Sequence, residues 1–376
     1  MKVMVVVGTR PEVIKMAPVI SALRSASIDT LVCASGQHRE MLAQALDVFS
    51  IEPDIALDAM RPGQTLNSLA ARLLADLDAV LAEQSPDWVL VQGDTTTAFC
   101  AGLAAFHRGI RVGHVEAGLR TGDLASPFPE EANRSLLARI ATRHFAPTIA
   151  ARQALLYEGI AAEAINVTGN TVVDALHMAQ RIMAAAPIAP VLGDVIQSAA
   201  GRPLVLITCH RRENFGGVLE GICHLLKRLA DRYPNFFWVF PVHLNPNVRE
   251  PVGRILGNVA NLSLIEPVDY LTSLALISRA ALVISDSGGI QEEAPSFGVP
   301  VVVMRSHTER REGVEAGFAT LAGQSAEHIE AAVIGWLDHP ERREQLKNRP
   351  NPYGDGQAAA RIVAVLAGDT VHEFNG

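Results

Sequence analysis

Cysteines are few in this sequence. Four occur in 376 residues, at positions 33, 100, 209 and 223, and no two of them have the C-x-x-C spacing of a zinc or redox site. This count argues against a disulfide-stapled secreted domain. Each cysteine lies in an apolar run, so we expect reduced thiols in the core and a cytoplasmic protein.

Excess positive charge and long apolar runs are also missing. The net charge is -8, which leaves no basic surface for the phosphates of a nucleic acid. No apolar run is long enough to cross a bilayer. The apolar N-terminus reaches Arg10 and Glu12 too early for a signal peptide. We therefore expect neither nucleic acid nor membrane as a partner.

The common nucleotide and metal motifs are absent. No G-x-G-x-x-G follows a predicted strand, which argues against a dinucleotide cofactor, and no G-x-x-x-x-G-K-[ST] is present, so this is not a P-loop NTPase. The sequence has no H-E-x-x-H and no G-x-S-x-G. A metal site from Asp94, Glu116 and His210 has no supporting spacing. We expect activity without a cofactor or a metal.

The sequence is rich in apolar residues, at 49%, and its predicted strands and helices alternate from end to end. This alternation predicts an α/β protein with parallel, doubly wound sheets. Gly169-Asn170 marks a predicted boundary between domains 1–169 and 170–355, and segment 356–376 is expected to pack back on the first domain. The helix after Pro11 is expected to be interrupted by Pro18.

One stretch, residues 281–303, reads as a complete strand, turn, helix and strand unit. Its predicted elements are strand 281–284, turn 286–289, helix 290–296 and strand 301–304. Gly288 and Gly289 would let a phosphate approach the backbone at the helix N-terminus, and Ser287 adds a hydroxyl donor. Glu293, one turn later, could accept hydrogen bonds from a ribose. The stretch is equally consistent with an ordinary turn capped by Asp286 or Ser287.

Polar residues collect where the predicted strands end. The first half supplies Arg10, Asp94, Glu116, Glu130 and Arg134, and the second half supplies His210, Arg211, His243, Ser287 and Glu293. Carboxylates and histidines together form an acid/base set facing a phosphate cradle. Each residue taken singly has a structural interpretation. Asp94 could cap a helix, Glu116 could pair with Arg120, Glu130 and Glu131 could complement a helix dipole, and His210 could pair with Glu213.

Ten motifs resemble one family, in that family's order. They are GTRPEVIKMAPVI (8–20), SGQHREML (35–42), QGDTTT (92–97), HVEAGLRTGD (114–123), PFPEEANR (127–134), TGNTVVDAL (168–176), CHRREN (209–214), PVHLNP (241–246), DSGGIQEEAP (286–295) and NPYGDGQAAARI (351–362). The chain resembles the bacterial non-hydrolysing UDP-N-acetylglucosamine 2-epimerases over nearly its whole length. The resemblance implies a GT-B architecture: two Rossmann-like domains with an interdomain active-site cleft.

The resemblance also implies a chemistry and its residues. The family epimerises UDP-GlcNAc to UDP-ManNAc by anti elimination of UDP through 2-acetamidoglucal, followed by re-addition. The implied acid/base carboxylates are Asp94, Glu116 and Glu130, and His210 lies at the diphosphate. The implied substrate-binding residues are Arg10, Lys15, Arg134, Ser287, Gly288, Gly289, Glu293 and Arg310. Which carboxylate is the C2 base stays open.

A UDP-GlcNAc activator site at Gln37, Arg211 and His243 and a homodimer are further implications of the resemblance. The chain departs from the family pattern at Val268 and Ser273, near the uracil pocket, and in the segment 308–312. Two alternatives remain. One is a 2-epimerase of a modified UDP-sugar such as UDP-diacetamido-glucuronate. The other is a GT-B glycosyltransferase, which would not need three carboxylates near C2.

Overall fold

The computed structural model describes residues 1–36, 39–61, 63–209 and 216–376. Three predicted site residues, Gln37, His210 and Arg211, lie outside these ranges. The described chain divides into two compact units. The first consists of Met1–Ala179 and Tyr353–Gly376, and the second of Gln180–Pro352.

The elements follow one another in α/β order throughout the described chain. The strands are β1 (Lys2–Val7), β2 (Asp29–Ala34), β3 (Ile55–Ala56), β4 (Trp88–Gln92), β5 (Arg111–Val115), β6 (Arg143–Ala146), β7 (Ile165–Val167), β8 (Leu204–Thr208), β9 (Phe237–Pro241), β10 (Leu262–Ile265), β11 (Ala280–Ser285), β12 (Val301–Val303) and β13 (Ala319–Leu321). The helices are α1 (Arg10–Ser25), α2 (Arg39–Val48), α3 (Leu66–Gln84), α4 (Thr96–His107), α5 (Glu130–Ile140), α6 (Ile149–Tyr157), α7 (Thr171–Ala185), α8 (Pro190–Ala199), α9 (Gly217–Arg232), α10 (Pro246–Leu256), α11 (Tyr270–Arg279), α12 (Gly288–Glu293), α13 (Arg311–Glu315), α14 (Ala326–Leu337), α15 (Pro340–Leu346) and α16 (Ala358–Ala367). Short 3-10 helices cover Ala162–Ala164 and Ala294–Phe297.

Each unit is built on one parallel sheet. The strand order is β3-β2-β1-β4-β5-β6-β7 in the first sheet and β10-β9-β8-β11-β12-β13 in the second. The order reverses between β1 and β4 in the first sheet and between β8 and β11 in the second. Open α/β sheets bind ligands at the carboxyl ends of the strands beside such a reversal. The turns after β1, β4 and β11 therefore stand where a ligand is expected.

The hydrophobic core of each unit is formed by the apolar faces of its helices and by strands that are covered on both faces. In α3 the buried leucines recur every fourth residue, at 69, 73, 77 and 81, and they pack with the small residues Ala98, Ala101 and Ala105 of α4. Trp238 and Phe240 of β9 are fully buried in the core of the second unit.

The thiols behave as core residues. All four cysteines are free and buried, and burial raises the pKa of Cys33 to about 12 and that of Cys100 to about 11. The expectation of reduced core thiols is therefore confirmed. Among the described helices, none alone is long and apolar enough to span a membrane, and α7 with α8 passes that test only as a pair bent by 84°.

The expected interruption of α1 at Pro18 is wrong, because the helix runs unbroken from Arg10 to Ser25. Proline in a helix interior removes one hydrogen bond and costs about 3 kcal/mol. The helix is buried at every position from Glu12 to Ile20, and it packs against β1, β2 and α16. This tertiary burial outweighs the local cost.

The turn unit at 281–303 also differs from its prediction in detail. Helix α12 ends at Glu293, and the remaining turn to Phe297 is a 3-10 helix that closes on Gly298 at a φ of 65°. A Cβ at Gly298 would lie 2.6 Å from the Cα of Lys347, so only glycine fits both this backbone and this contact.

Gly118 and Gly122 offer a matched test of a close approach in the first unit. Their φ angles are 93° and 82°. A Cβ on Gly118 would lie 2.2 Å from the Ala151 carbonyl oxygen, whereas no described atom lies within 4 Å of a Cβ on Gly122. We expect Gly122→Ala to lower the free energy of unfolding by about 1 kcal/mol, the cost of left-handed backbone. Gly118→Ala should cost about 3 kcal/mol, because a backbone clash is added. Chemical denaturation followed by circular dichroism measures both, and equal losses would contradict the contact.

Candidate active site

The first unit places the predicted carboxylates at the carboxyl edge of its sheet. Arg10 opens α1 after β1, Asp94 follows β4, Glu116 follows β5 directly, and Glu130 opens α5. Because parallel strands end on the same side of a sheet, these turns are neighbours. Arg10 and Glu130 are half-buried.

Glu116 is held by two donors and a strained backbone. Its Oε2 accepts a hydrogen bond from Gln92 Nε2 at 2.8 Å and is ion-paired with Lys15 Nζ. Its φ is 62°, a left-handed conformation that costs a non-glycine residue of order 1–3 kcal/mol. The alternative pairing of Glu116 with Arg120 is wrong, because Arg120 makes a bidentate pair with Glu158 at 2.7 and 2.9 Å.

Asp94 does not cap the helix that follows it. Thr95 is the N-cap of α4, and its hydroxyl accepts a hydrogen bond from Ala98 N. The Oδ2 of Asp94 instead lies 3.3 Å from Arg134 Nη2, and its backbone carbonyl accepts from Asn133 Nδ2 at 2.9 Å. The Asp94 side chain is 30% exposed, so it is anchored on one side and open to a ligand on the other.

Arg134 and Glu131 form the buried base of this arrangement. The Arg134 side chain is 4% exposed, and its Nε lies 3.1 Å from Glu131 Oε2. The other Glu131 oxygen accepts from the backbone N–H groups of Thr121 and Gly122, both at 3.0 Å. Glu131 therefore does more than complement the dipole of α5. It fixes the loop between β5 and α5 and orients the arginine that holds Asp94.

His114 acts on the same turn as Asp94. It is fully buried on β5, and its Nε2 lies 2.8 Å from the Gly93 carbonyl. Burial lowers the pKa of His114 to about 3, and burial also lowers that of His144, its partner on β6, to about 4. The ring is neutral near pH 7, and a carbonyl only accepts, so the proton lies on Nε2.

The second unit contains the turn Ser287-Gly288-Gly289 after β11. Ser287 stands at the N-cap of α12 but makes no side-chain cap bond, and its backbone N–H donates to Ser285 Oγ at 2.9 Å. The interpretation of a turn capped by the Ser287 hydroxyl is therefore wrong. Glu293 is buried at the end of α12.

Arg310 lies against this turn. A Cβ on Gly288 would be 2.7 Å from its Cζ. The guanidinium is held by Glu292 Oε1, 2.7 Å from Nε, and by Glu309, which also lies 3.2 Å from Arg305. The guanidinium thus occupies space beside the N-terminus of α12 that a Cβ at position 288 would fill. His243 is exposed in the same unit, and its Nδ1 accepts from Asn245 N at 3.1 Å.

Within the described ranges, no group of three or more His, Cys, Asp or Glu side chains could hold a metal ion. The arrangement offers instead carboxylates for proton transfer and cations for anion binding.

Comparisons with known proteins show the family of the chain. Residues 21–367 match the model of a family described as UDP-N-acetylglucosamine 2-epimerase. The chain belongs to this family.

Its relatives match from end to end. The chain is 51% identical to the UDP-N-acetylglucosamine 2-epimerase of Salmonella typhimurium, over 97% of this chain and 98% of that protein. It is 49% identical to the Escherichia coli K12 enzyme of the same name, over 99% and 100%. A crystal structure of the Neisseria meningitidis enzyme bound to UDP-GlcNAc has a TM-score of 0.91 and 46% identity, covering 98% of this chain and 100% of that one.

These matches confirm the epimerase family and the GT-B fold of two Rossmann-like, parallel-sheet domains. A glycosyltransferase structure matches with a TM-score of 0.65 at 14% identity, which shows the fold alone.

Sequence reasoning missed several residues of this epimerase fold that hold the candidate residues in place. Gln92, His114 and Asn133 contact Glu116, Gly93 and Asp94 across the sheet edge. The available signal was polarity inside buried elements, because Gln92 ends and His114 interrupts an apolar strand that is covered on both faces.

Glu130 and Glu131 are adjacent but have different surroundings, which a pair of variants tests. We expect Glu131→Gln to lower the free energy of unfolding by about 2 kcal/mol, because it removes one carboxylate from a buried arginine. Glu130→Gln, at a half-buried position, should change it by less than about 0.5 kcal/mol. Thermal and urea unfolding of both variants measures the difference. A Glu131→Gln protein as stable as the Glu130→Gln protein would contradict the buried pairing.

Proposed function

We propose that the protein interconverts UDP-GlcNAc and UDP-ManNAc by eliminating and re-adding UDP. The family match over residues 21–367 supports the epimerase activity. The observation that carries the mechanism is the pair of carboxylates, Asp94 after β4 and Glu116 after β5, each held against a cation at the carboxyl edge of the first sheet. Each has a partner that keeps it in place for proton transfer.

The reaction needs an elimination because the C2 hydrogen of the sugar is not next to a carbonyl. A carboxylate removes the C2 proton, the C1–O bond breaks, and UDP leaves with the bonding electrons to give 2-acetamidoglucal. An acid then protonates C2 on the opposite face while a diphosphate oxygen re-forms the bond to C1. Atoms and electrons balance, so no redox cofactor is required.

Asp94, Glu116 and Glu130 supply the acid and base groups in this proposal. Lys15, which contacts Glu116, keeps that carboxylate in place and adds positive charge near the sugar nucleotide. Arg10 opens the first helix and contributes a further cation. Positive charge beside the reacting groups stabilises the diphosphate as it departs.

The second unit binds UDP. Gly288 and Gly289 present backbone N–H groups at the start of α12, Ser287 adds a hydroxyl, and Arg310 adds a charge already positioned by Glu292. Glu293 accepts hydrogen bonds from the ribose. His210, outside the described residues, assists diphosphate departure in this scheme.

The sugar substituents at C3 and C6 are the open point of this proposal. A 2-epimerase of a modified UDP-sugar would use the same carboxylates and the same UDP residues. Comparing the turnover of UDP-GlcNAc with that of UDP-diacetamido-glucuronate identifies the substrate. Running the same assays in the presence of a chelator and without added NAD tests whether the enzyme needs a metal or a redox cofactor, and we expect full activity.

We also propose that the enzyme is a homodimer and that UDP-GlcNAc activates it at a site including Gln37, Arg211 and His243. Sedimentation velocity tests the first point. Stimulation of the reverse reaction by added UDP-GlcNAc tests the second, and its absence would remove the activator site.

Gly288→Ala tests the UDP site. The new methyl group collides with the Arg310 guanidinium and blocks phosphate from the backbone, so we expect UDP affinity to fall at least about tenfold. Glu293→Gln should weaken UDP by about 1–3 kcal/mol through loss of a charge-assisted hydrogen bond. Gly221→Ala, on α9 with open space around its Cβ, is the control and should bind UDP normally. Calorimetric titration with UDP measures the affinity of each variant. Unchanged affinity in both Gly288→Ala and Glu293→Gln would show that this turn does not bind UDP.

The carboxylates are tested by Asp94→Asn, Glu116→Gln and Glu130→Gln. Each should lower turnover by about 10² to 10⁴, the usual contribution of a positioned acid or base, while UDP affinity stays unchanged. In deuterated water, the wild-type enzyme should place solvent deuterium at C2 and release traces of UDP and the glycal. Product without solvent hydrogen at C2, followed by NMR, would rule out proton abstraction by these residues.

A further inference from the structure

We infer that Glu12 is a positioning residue: it ties the β1–α1 turn to the β4–α4 turn and thereby sets the place of Asp94. The inference deepens the proposed function, because it takes Asp94 to be one of the groups that move the C2 proton. The sequence pattern assigns Glu12 no role of this kind.

The contacts of Glu12 reach both turns. Its Oε2 accepts from Gly8 N at 3.0 Å, Thr9 N at 2.7 Å and Thr9 Oγ1 at 2.8 Å. Its Oε1 accepts from Thr95 Oγ1 at 2.7 Å. Thr95 is the residue next to Asp94, and Thr9 is the residue next to Arg10.

Two of these features go beyond an ordinary helix cap. A capping box consists of two bonds: the Thr9 hydroxyl accepts from the backbone N–H of Glu12, and the Glu12 carboxylate accepts from the backbone N–H of Thr9. The bond to Thr95 crosses 83 residues of sequence and joins α1 to the N-cap of α4. The Glu12 side chain is 1% exposed, so water cannot replace any of its donors.

The β1–α1 turn and the first turn of α4 are closely packed against each other. A Cβ on Gly8 would lie 2.4 Å from Thr97 Oγ1 and 2.6 Å from Ser35 Oγ, and these two hydroxyls lie 3.0 Å from each other. A shift of the β1–α1 turn must therefore move the first turn of α4. Since an error of about 1 Å in a catalytic group can cost on the order of 10² in rate, this coupling matters for Asp94.

A carboxylate suits this position because it only accepts hydrogen bonds and has about four lone-pair sites for them. All four neighbouring groups are donors in the observed geometry. Aspartate is one methylene shorter and cannot reach Thr95 while keeping the Gly8 and Thr9 contacts. Burial raises the pKa of Glu12 to about 7 against the lowering effect of these donors, so the acceptor-only carboxylate is the main form above that pH.

The test removes the crossing bond and leaves Glu12 intact. Thr95→Val deletes the hydroxyl that donates to Glu12, and it also deletes the N-cap of α4. Thr148→Val is the matched control, because Thr148 caps α6 in the same unit through a bond from Ala151 N at 3.2 Å. Thr95→Ser keeps the hydroxyl and is the conservative rescue.

We expect Thr95→Val to lower kcat at least tenfold with UDP affinity unchanged, Thr95→Ser to stay within threefold of wild type, and Thr148→Val within twofold. Thr95→Val should lower Tm more than Thr148→Val does, because it also leaves a buried oxygen of Glu12 without its donor. In a Glu12→Ala background, Thr95→Val should add no further loss in kcat, since the bond is already gone.

Equal kcat for Thr95→Val and Thr148→Val, with Asp94→Asn inactive, would overturn the coupling and leave the proposed function standing. A Thr95→Ser protein as slow as Thr95→Val would also overturn it. Full activity in Asp94→Asn, or no C2 exchange by the wild-type enzyme, would instead overturn the proposed function. If Glu12→Ala fails to fold, the three threonine variants still decide.

Discussion

A buried guanidinium must be paired, and Arg134 meets this requirement in a way on which the rest of the candidate site depends. It lies 3.3 Å from Asp94 and 3.1 Å from Glu131, and it donates to the Leu119 carbonyl at 3.3 Å. Leaving one buried charge without its partner costs roughly 3–5 kcal/mol. The need to satisfy Arg134 therefore holds α5, the loop after β5 and the turn after β4 in one arrangement.

The second unit applies the same rule to a different task. Arg310 is satisfied by Glu292 and Glu309, and its guanidinium rests where Gly288 leaves no side chain. A cation held in this way keeps its position without a ligand, so the diphosphate of the proposed function would pay little ordering entropy on binding there. Both units thus hold buried charges in pairs at strand ends, which in the proposed function serve proton transfer in the first unit and anion binding in the second.

Much of the fold could be predicted because its signals are local. Apolar strands without alternation indicate sheets covered on both faces, and the leucine spacing of α3 indicates its buried stripe. The wrong predictions concern residues whose local preference is overridden by contacts with residues far away in the sequence. Pro18 was expected to break α1, yet tertiary burial keeps the helix whole. Glu116 had Arg120 as its nearest cation in sequence, yet Lys15, 101 residues away, is its partner. Asp94 is a residue type that often caps helices, yet Thr95 is the N-cap of α4.

The sequence by itself determined the element order, the parallel doubly wound class and the family, and it supplied the candidate residues for proton transfer and phosphate binding, because composition, periodicity and motif spacing are written along the chain. Only the tertiary structure decided which of those residues hold one another. Hydrogen bonds and ion pairs depend on distances of about 3 Å, and those distances arise when strands far apart in sequence end at the same edge of a sheet. Gln92, His114 and Glu131 became recognisable as supports only there, because an isolated polar residue inside a buried element has many acceptable partners and the fold selects one.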